Sequence, residues 1–310
     1  MSQEYAELLQ RIENIEAAST ANKISDLYTK IDALENDNRF LAHIAVLRQE
    51  MESMNKDYFL EVSKGSVPGT TAGFVSGRNT NIGATNSETI WFQGGNYEYL
   101  SADTQLYASS TSASDTDVDL LVVGLDDNYT EVVRTVNLNG QSQVAISDLM
   151  FRVHSFFTAS TSANTPVGDV YLAESDTLTA GVPDTSTKIK AVVSLTRNSA
   201  GTPIDTGTVY ASDNFSHLGI FTVPAGKTLF GLYLVDYLGK NDDATITGVI
   251  RPFGGHWLSR SPTELYQSPS TQLFSTRTAL PEKTDLEFRV IAGSAGASIN
   301  IQFQFILVDN

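Results

Sequence analysis

Residues 4 to 60 contain neither proline nor glycine and set apolar side chains at alternating steps of three and four, a pattern that a long helix with one buried seam satisfies. The seam runs in three blocks: Tyr5, Leu8, Ile12 and Ile15; then Ile24, Leu27, Ile31, Leu34 and Leu41; then Ile44, Leu47, Met51, Met54 and Tyr58. An isolated helix of this kind leaves an apolar stripe in water, and identical copies wound into a coiled coil cover it. Asn38 falls on the same stripe between Leu34 and Leu41, where a polar core residue lowers stability but penalises wrong registers. The phase breaks near Ala17 to Asn22 and between Leu41 and Ile44, so the coil is locally unwound or divided, and Ser19-Thr20-Ala21-Asn22 could cap a second helix. Ile12 with Ile15 favours three strands, while Ile24/Leu27 and Ile31/Leu34 also fit two. We expect a homotrimer whose oligomerisation residues are Leu8, Ile12, Ile15, Ile24, Leu27, Ile31, Leu34, Asn38, Leu41, Ile44, Leu47, Met51 and Met54. The competing arrangement is a helical hairpin folded back on the rest of the chain.

The pattern changes between Glu61 and Gly73, where Lys64, Gly65, Pro68 and Gly69 end any helix. Beyond it the period is two. Strands are expected at Asp117 to Leu125, Glu131 to Leu138, Leu149 to Thr158, Lys188 to Thr196, Leu218 to Val223, Thr228 to Tyr237, Ala244 to Arg251, Leu286 to Ile291 and Ser298 to Val308. Asp126-Asp127-Asn128 reads as the turn of a hairpin between the first two, and Gly239 to Asp243 as the turn of another joining Thr228–Tyr237 to Ala244–Ile250. The fold class expected is therefore mainly β: an N-terminal α-helical coiled coil followed by antiparallel, jelly-roll-like β-sandwich. The organisation expected is a stalk at 1–62, a sandwich at 63–200 and a second at 201–310, divided near Asn198 to Gly207.

Charge and composition act mainly as exclusions. The formal net charge is −16, with twelve Asp/Glu against six Lys/Arg in residues 1–62 and twenty-four against fourteen in the remainder. A surface this acidic repels phosphate backbones, so nucleic acid is not an expected partner. The chain has no cysteine, which rules out disulfides, thiolate metal sites and a cysteine nucleophile. No uninterrupted apolar run approaches the ~18 residues of a membrane span, and no signal-peptide pattern opens the chain, so a soluble protein without a membrane partner is expected.

Few groups point to chemistry. The four histidines, His43, His154, His217 and His256, are not spaced as a metal-binding pair, and no zinc-protease, nucleophile-elbow, phosphate-loop or dinucleotide pattern is present. No catalytic residue, metal ligand or cofactor is assigned, although glycan depolymerases can use scattered carboxylates. Asp115-Thr116-Asp117-Val118-Asp119 resembles half of a calcium loop, but Leu120 stands where such a loop needs glycine, which favours the solvated face of a strand. Trp91 and Phe92 beside Gly94-Gly95 could stack on a sugar, but packed aromatics are the simpler reading. Arg251, Phe253, His256 and Trp257 sit in a glycine-permissive loop suited to a subunit contact or a ligand.

Several stretches carry a resemblance: Glu88-Thr89-Ile90-Trp91 with Gly94-Gly95 and Tyr97; Gly124-Leu125-Asp126 with Asn128-Tyr129 and Glu131; Thr135 to Gly140; Thr222-Val223-Pro224-Ala225-Gly226-Lys227-Thr228; Leu280-Pro281-Glu282-Lys283-Thr284-Asp285; and Leu307-Val308-Asp309-Asn310. In this order they are similar to a family of virion structural proteins encoded by marine tailed phages. The resemblance implies a component of a phage particle, with virion localisation and capsid or tail proteins as partners, and no activity. The helical segment at 1–60 departs from that family and moves the expectation toward a trimeric capsid decoration (cement) protein or head fibre. The alternative is a receptor-binding tail fibre or short spike that meets a host surface glycan or protein.

Overall fold

Alternating apolar side chains and short polar turns give strands that each bury one face, and nineteen of them are found among the described residues. The computed structural model describes residue 7, residues 28 and 29, and residues 58–194, 214–239, 243–266, 269–274 and 279–310. The chain divides into two units after Ser66. In the first, α1 (Tyr58–Ser63) is a short helix closed by turn hydrogen bonds from Lys64 and Gly65, and Glu7, Tyr28 and Thr29 are helical. The thirteen expected oligomerisation residues from Leu8 to Met54 lie outside the described residues, so no N-terminal coiled coil is seen among the described residues. Among the described residues no helix is long and apolar enough to cross a membrane.

The second unit, Val67–Asn310, is mainly β and antiparallel throughout. Its strands are β1 (Thr70–Ile82), β2 (Glu88–Thr89), β3 (Leu106–Ser110), β4 (Thr116–Leu125), β5 (Glu131–Asn139), β6 (Val144–Ala145), β7 (Arg152–Thr158), β8 (Val170–Glu174), β9 (Leu178–Thr179) and β10 (Val182–Pro183). They continue with β11 (Ile189–Val193), β12 (Ile220–Thr222), β13 (Lys227–Leu238), β14 (Asp243–Arg251), β15 (Leu258–Tyr266), β16 (Ser270–Leu273), β17 (Ala279–Leu280), β18 (Asp285–Ala292) and β19 (Ala297–Asp309).

Two sheets, β1-β19-β13-β16 with β17 beside β13, and β12-β18-β14-β15 with β2 beside β18, share one core that includes Val75, Ile90, Leu229, Ile246, Phe288 and Phe303. Two more, β11-β8-β3-β6 and β5-β4-β7, share another that includes Leu106, Leu120, Met150, Phe156, Leu172 and Val192. The arrangement is sandwich-like, and core membership does not follow chain order: β1 and β2 belong with strands from the far end of the sequence. The chain leaves the first core at Ile90–Trp91 and returns beside it at Leu218–Gly219, where Trp91 and Leu218 form a bridge and the Gly219 N–H donates to the Ile90 carbonyl at 2.8 Å. The crossing is tight enough to need glycine, since a Cβ on Gly219 would stand 2.5 Å from the Ile90 oxygen and one on Gly77 2.8 Å from the Gly219 Cα. The expected division near Asn198 to Gly207 lies outside the described residues.

The hairpin expected at Asp126-Asp127-Asn128 is present: Leu125 pairs with Glu131, and the Asp126 carboxylate accepts the Asn128 and Thr130 N–H groups. The second expected hairpin is not. β13 and β14 lie in opposite sheets of one core, each with its own partners, so the connection between them passes across the sandwich. The period-two pattern was correctly read in both strands, but a polar connection of this length serves equally for a turn within a sheet or a crossing between sheets.

Candidate functional site

Charged residues inside an apolar strand are costly to bury unless matched, so the sequence Asp285-Leu286-Glu287-Phe288-Arg289 on β18 marks the centre of interest. Asp285 is 4% exposed. Its Oδ1 accepts Arg152 Nε at 3.0 Å and Thr222 Oγ1 at 2.6 Å, and its Oδ2 accepts Arg251 Nε at 2.9 Å and Nη2 at 2.6 Å. Arg152 comes from the second core and Arg251 and Thr222 from strands of the first, so one carboxylate ties the two cores together. Arg152 Nη1 donates to the Leu100 and Phe151 carbonyls, both at 3.0 Å. Two residues further along β18, Glu287 accepts Thr89 Oγ1 at 2.6 Å and Arg289 Nε at 2.8 Å.

Aromatic rings insulate this node. Trp257 lies beneath the Arg251 and Arg289 guanidinium groups, at 4.7 and 5.1 Å from its ring, and 5.7 Å from Tyr99, which continues edge-on through Tyr97 to Trp91. On the other side the Arg152 guanidinium stands 3.9 Å from the Phe151 ring and 5.8 Å from that of Tyr129. Burial pushes the Tyr97, Tyr99 and Tyr129 hydroxyls above the ordinary tyrosine range, the Arg152 and Arg251 charges acting against it.

The stretches that carry the family resemblance come together here. The Ala225 N–H donates to the Tyr129 carbonyl, the Lys283 N–H to the Val223 carbonyl and the Gly226 N–H to the Glu282 carboxylate, while the Lys283 ammonium sits 5.4 Å from the Tyr129 ring. The terminal stretch joins through Lys227 with Asp309 and Thr228 with Asn310. Thr135 to Gly140 is the exception; it ends beside Asp115, just before β4 begins, where the Gly140 N–H donates to the Asp115 carbonyl.

Of the expected loop residues, Arg251 and Trp257 are turned into the node. Phe253 is 66% exposed, set edge-on against Tyr129 beside Lys283, and His256 is exposed. The Pro252–Gly255 turn, closed by the Gly255 N–H on the Pro252 carbonyl, makes this split: its flanks face inward and its tip outward. Asp115, Asp117 and Asp119 do not converge: Asp115 accepts Ser110 Oγ and the Val167 and Gly168 N–H groups, and Asp119 accepts Asn137 Nδ2. Trp91 is buried with its N–H on the Gly95 carbonyl. Sequence reading missed Asp285, Glu287, Arg289 and Arg152; the available signal was three charges at alternate positions of a strand too apolar to have a solvated face.

A second feature is His154, the extra residue of a bulge where β7 runs Val153, His154, Ser155 against Gly124 and Val123 of β4. The bulge turns the imidazole out of the second core into a groove of about 280 Å³ bounded by β1, Val123, Glu131, Phe215, Phe221 and Phe305. Gly124 permits it, since a Cβ there would collide with the Arg152 carbonyl. His154 Nε2 accepts the Thr222 N–H at 3.2 Å and stacks 4.2 Å from Phe221, and desolvation lowers its pKa from 6.5 to about 3.

No protein-family model matches the chain, and no curated protein does. Among solved structures it is weakly similar to the PBSX exported protein XepA, at 10% identity over 76% of this chain and 84% of that one, with a TM-score of 0.18. It is similarly weakly similar to the VP2 subviral particle of infectious bursal disease virus, at 10% identity over 82% and 83% with a TM-score of 0.19. At these TM-scores the similarity assigns nothing to the site.

Proposed function

We propose that this chain is a non-enzymatic structural protein of a tailed-phage particle, a homotrimer joined through its heptad segment, that serves as a capsid decoration protein or head fibre with jelly-roll-like sandwiches. The observation that supports it best is the node at Asp285. Most of the stretches resembling phage virion proteins meet there in a buried joint between two cores, and a joint held by matched buried charges keeps two sandwiches in fixed relation, as a shell component under mechanical strain needs. The node's ionised groups face one another, so they serve cohesion and leave no acid–base pair turned toward a substrate. Three linked weak contacts on a shell bind as one strong contact when all engage together, which gives the heptad segment its purpose.

Light scattering of the purified chain is expected to give three times 33.6 kDa, and a virion density map is expected to place it on the head; a mass of one chain, or density only at the tail tip, overturns the proposal. A receptor-binding tail fibre is the second reading, favoured by the exposed Phe253 and His256 at a loop tip. It predicts that isolated protein competes with phage adsorption. Release of reducing sugar from host polysaccharide would overturn the non-enzymatic assignment.

A further inference from the structure

The sheet β5-β4-β7 buries Leu120, Val122, Val136 and Phe156 on one side. On its other side an antiparallel sheet facing water ordinarily carries polar residues. Here the register sets Val133 opposite Val123 and Leu121 opposite Phe157 on that outward side. The Phe157 ring stacks on Phe215 at 5.9 Å, and Phe215 on Phe74 of β1 at 6.2 Å. Val133 and Phe74, at the two ends of this row, are each 55% exposed. The groove beneath His154 opens within the row, and Glu131 on its rim is the one carboxylate among the described residues lining it.

We propose that this apolar row is the contact between the β bodies of neighbouring copies of this chain. Two observations select a second copy as the occupant. A chain with formal net charge −16 repels itself wherever its ordinary surface meets its ordinary surface, and a row of valine, leucine and phenylalanine bordered, among the described residues, by only Glu131 and Asp119, the latter already held by Asn137, is where like-charged copies can meet. The second is chain connection: Phe74 lies on the first strand after the heptad segment, and the residues from Met54 to Thr70 span at most about 55 Å when extended. Copies joined at their heptads therefore hold their Phe74 rows at the millimolar effective concentrations that short tethers give. This inference rests on the heptad reading of the proposed function, and the row supplies what the heptads do not, a fixed orientation of one body against the next.

The chain has no cysteine, so single cysteines report on single positions. Phe74→Cys, Val133→Cys and the control Leu273→Cys, whose native side chain is 76% exposed, are prepared in the full chain. Maleimide labelling rates are measured at 10 µM protein, with light scattering on the same samples. The expected result is an oligomer in which Val133→Cys and Phe74→Cys react at least tenfold more slowly than Leu273→Cys, with the difference abolished in urea. An oligomer in which all three react alike overturns the row as a contact and leaves the heptad reading standing. A monomer overturns both. Because Phe74→Cys could weaken the row it reports on, Thr135→Cys, beside Leu121 on the same outward side, is a second reporter and should be protected equally.

Discussion

The imidazole of His154 should make the protein acid-sensitive well above the pH at which carboxylates titrate. Desolvation holds its pKa at about 3 in the fold against 6.5 in an unfolded chain. A base whose affinity for protons falls on folding contributes its full stability above pH 6.5 and loses it progressively as the pH drops toward 3. Each tenfold change in proton affinity is worth about 1.4 kcal/mol, so the whole effect has a ceiling of about 5 kcal/mol, of which about 2 kcal/mol is already lost at pH 5. His154 keeps part of its surface in water, which weakens the desolvation and reduces the loss at pH 5 to roughly 1 kcal/mol. The assay is urea unfolding at pH 7.5, 6 and 5 at one fixed protein concentration, with His154→Gln as the comparison. Glutamine keeps an acceptor for the Thr222 N–H and cannot take up a proton. The native chain is expected to lose roughly 1 kcal/mol more than His154→Gln between pH 7.5 and 5. Parallel pH profiles for the two would refute the reasoning, because every other titrating group is common to both.

Asp285→Asn leaves the buried Arg152 without its carboxylate and should destabilise by about 3 to 5 kcal/mol in denaturant unfolding, with partial recovery when Arg152→Met is added. Gly219→Ala forces a Cβ to 2.5 Å from the Ile90 carbonyl oxygen and should lower the melting temperature severely, whereas Gly226→Ala, with open space around a φ of +72°, should cost only about 1 kcal/mol. Asp236 is buried with one carboxylate oxygen lacking a hydrogen bond, and desolvation raises its pKa. A raised carboxylate pKa means stability gained as the pH falls, so Asp236→Asn should raise the melting temperature at pH 8 and lose that advantage at pH 4; an equal effect at both would discount the carboxylate's charge.

Strands with one solvated face were legible, because alternation fixes both their existence and their phase; β4, β5, β13 and β19 fall within two residues of expectation. β1 was not, because Thr70 to Ile82 carries two glycines, Gly73 and Gly77, among small polar residues and reads as a loop until β19 supplies the partner that organises it. β3 and β8, five residues each and buried on most sides, lack alternation altogether. The joint at Asp285 was half legible: its turn motifs stood out singly, but their convergence depends on pairings between distant strands that no local pattern encodes. Arg251 and Trp257 were singled out for the right chemistry, strong polar and aromatic contact, with an outward direction assumed for groups that the Pro252–Gly255 turn points inward.

The pairing of Thr70 with Val308 governs the order in which the molecule can be made. Residues 91–218 hold nearly all the side chains of the second core and emerge from the ribosome as one uninterrupted stretch, ready to condense at once. β1, synthesised before them, must wait for β19 before its sheet can close. A nascent chain halted between the end of β12 and Ala297 would therefore carry a finished inner body beside a β1 that still lacks the strand it pairs with.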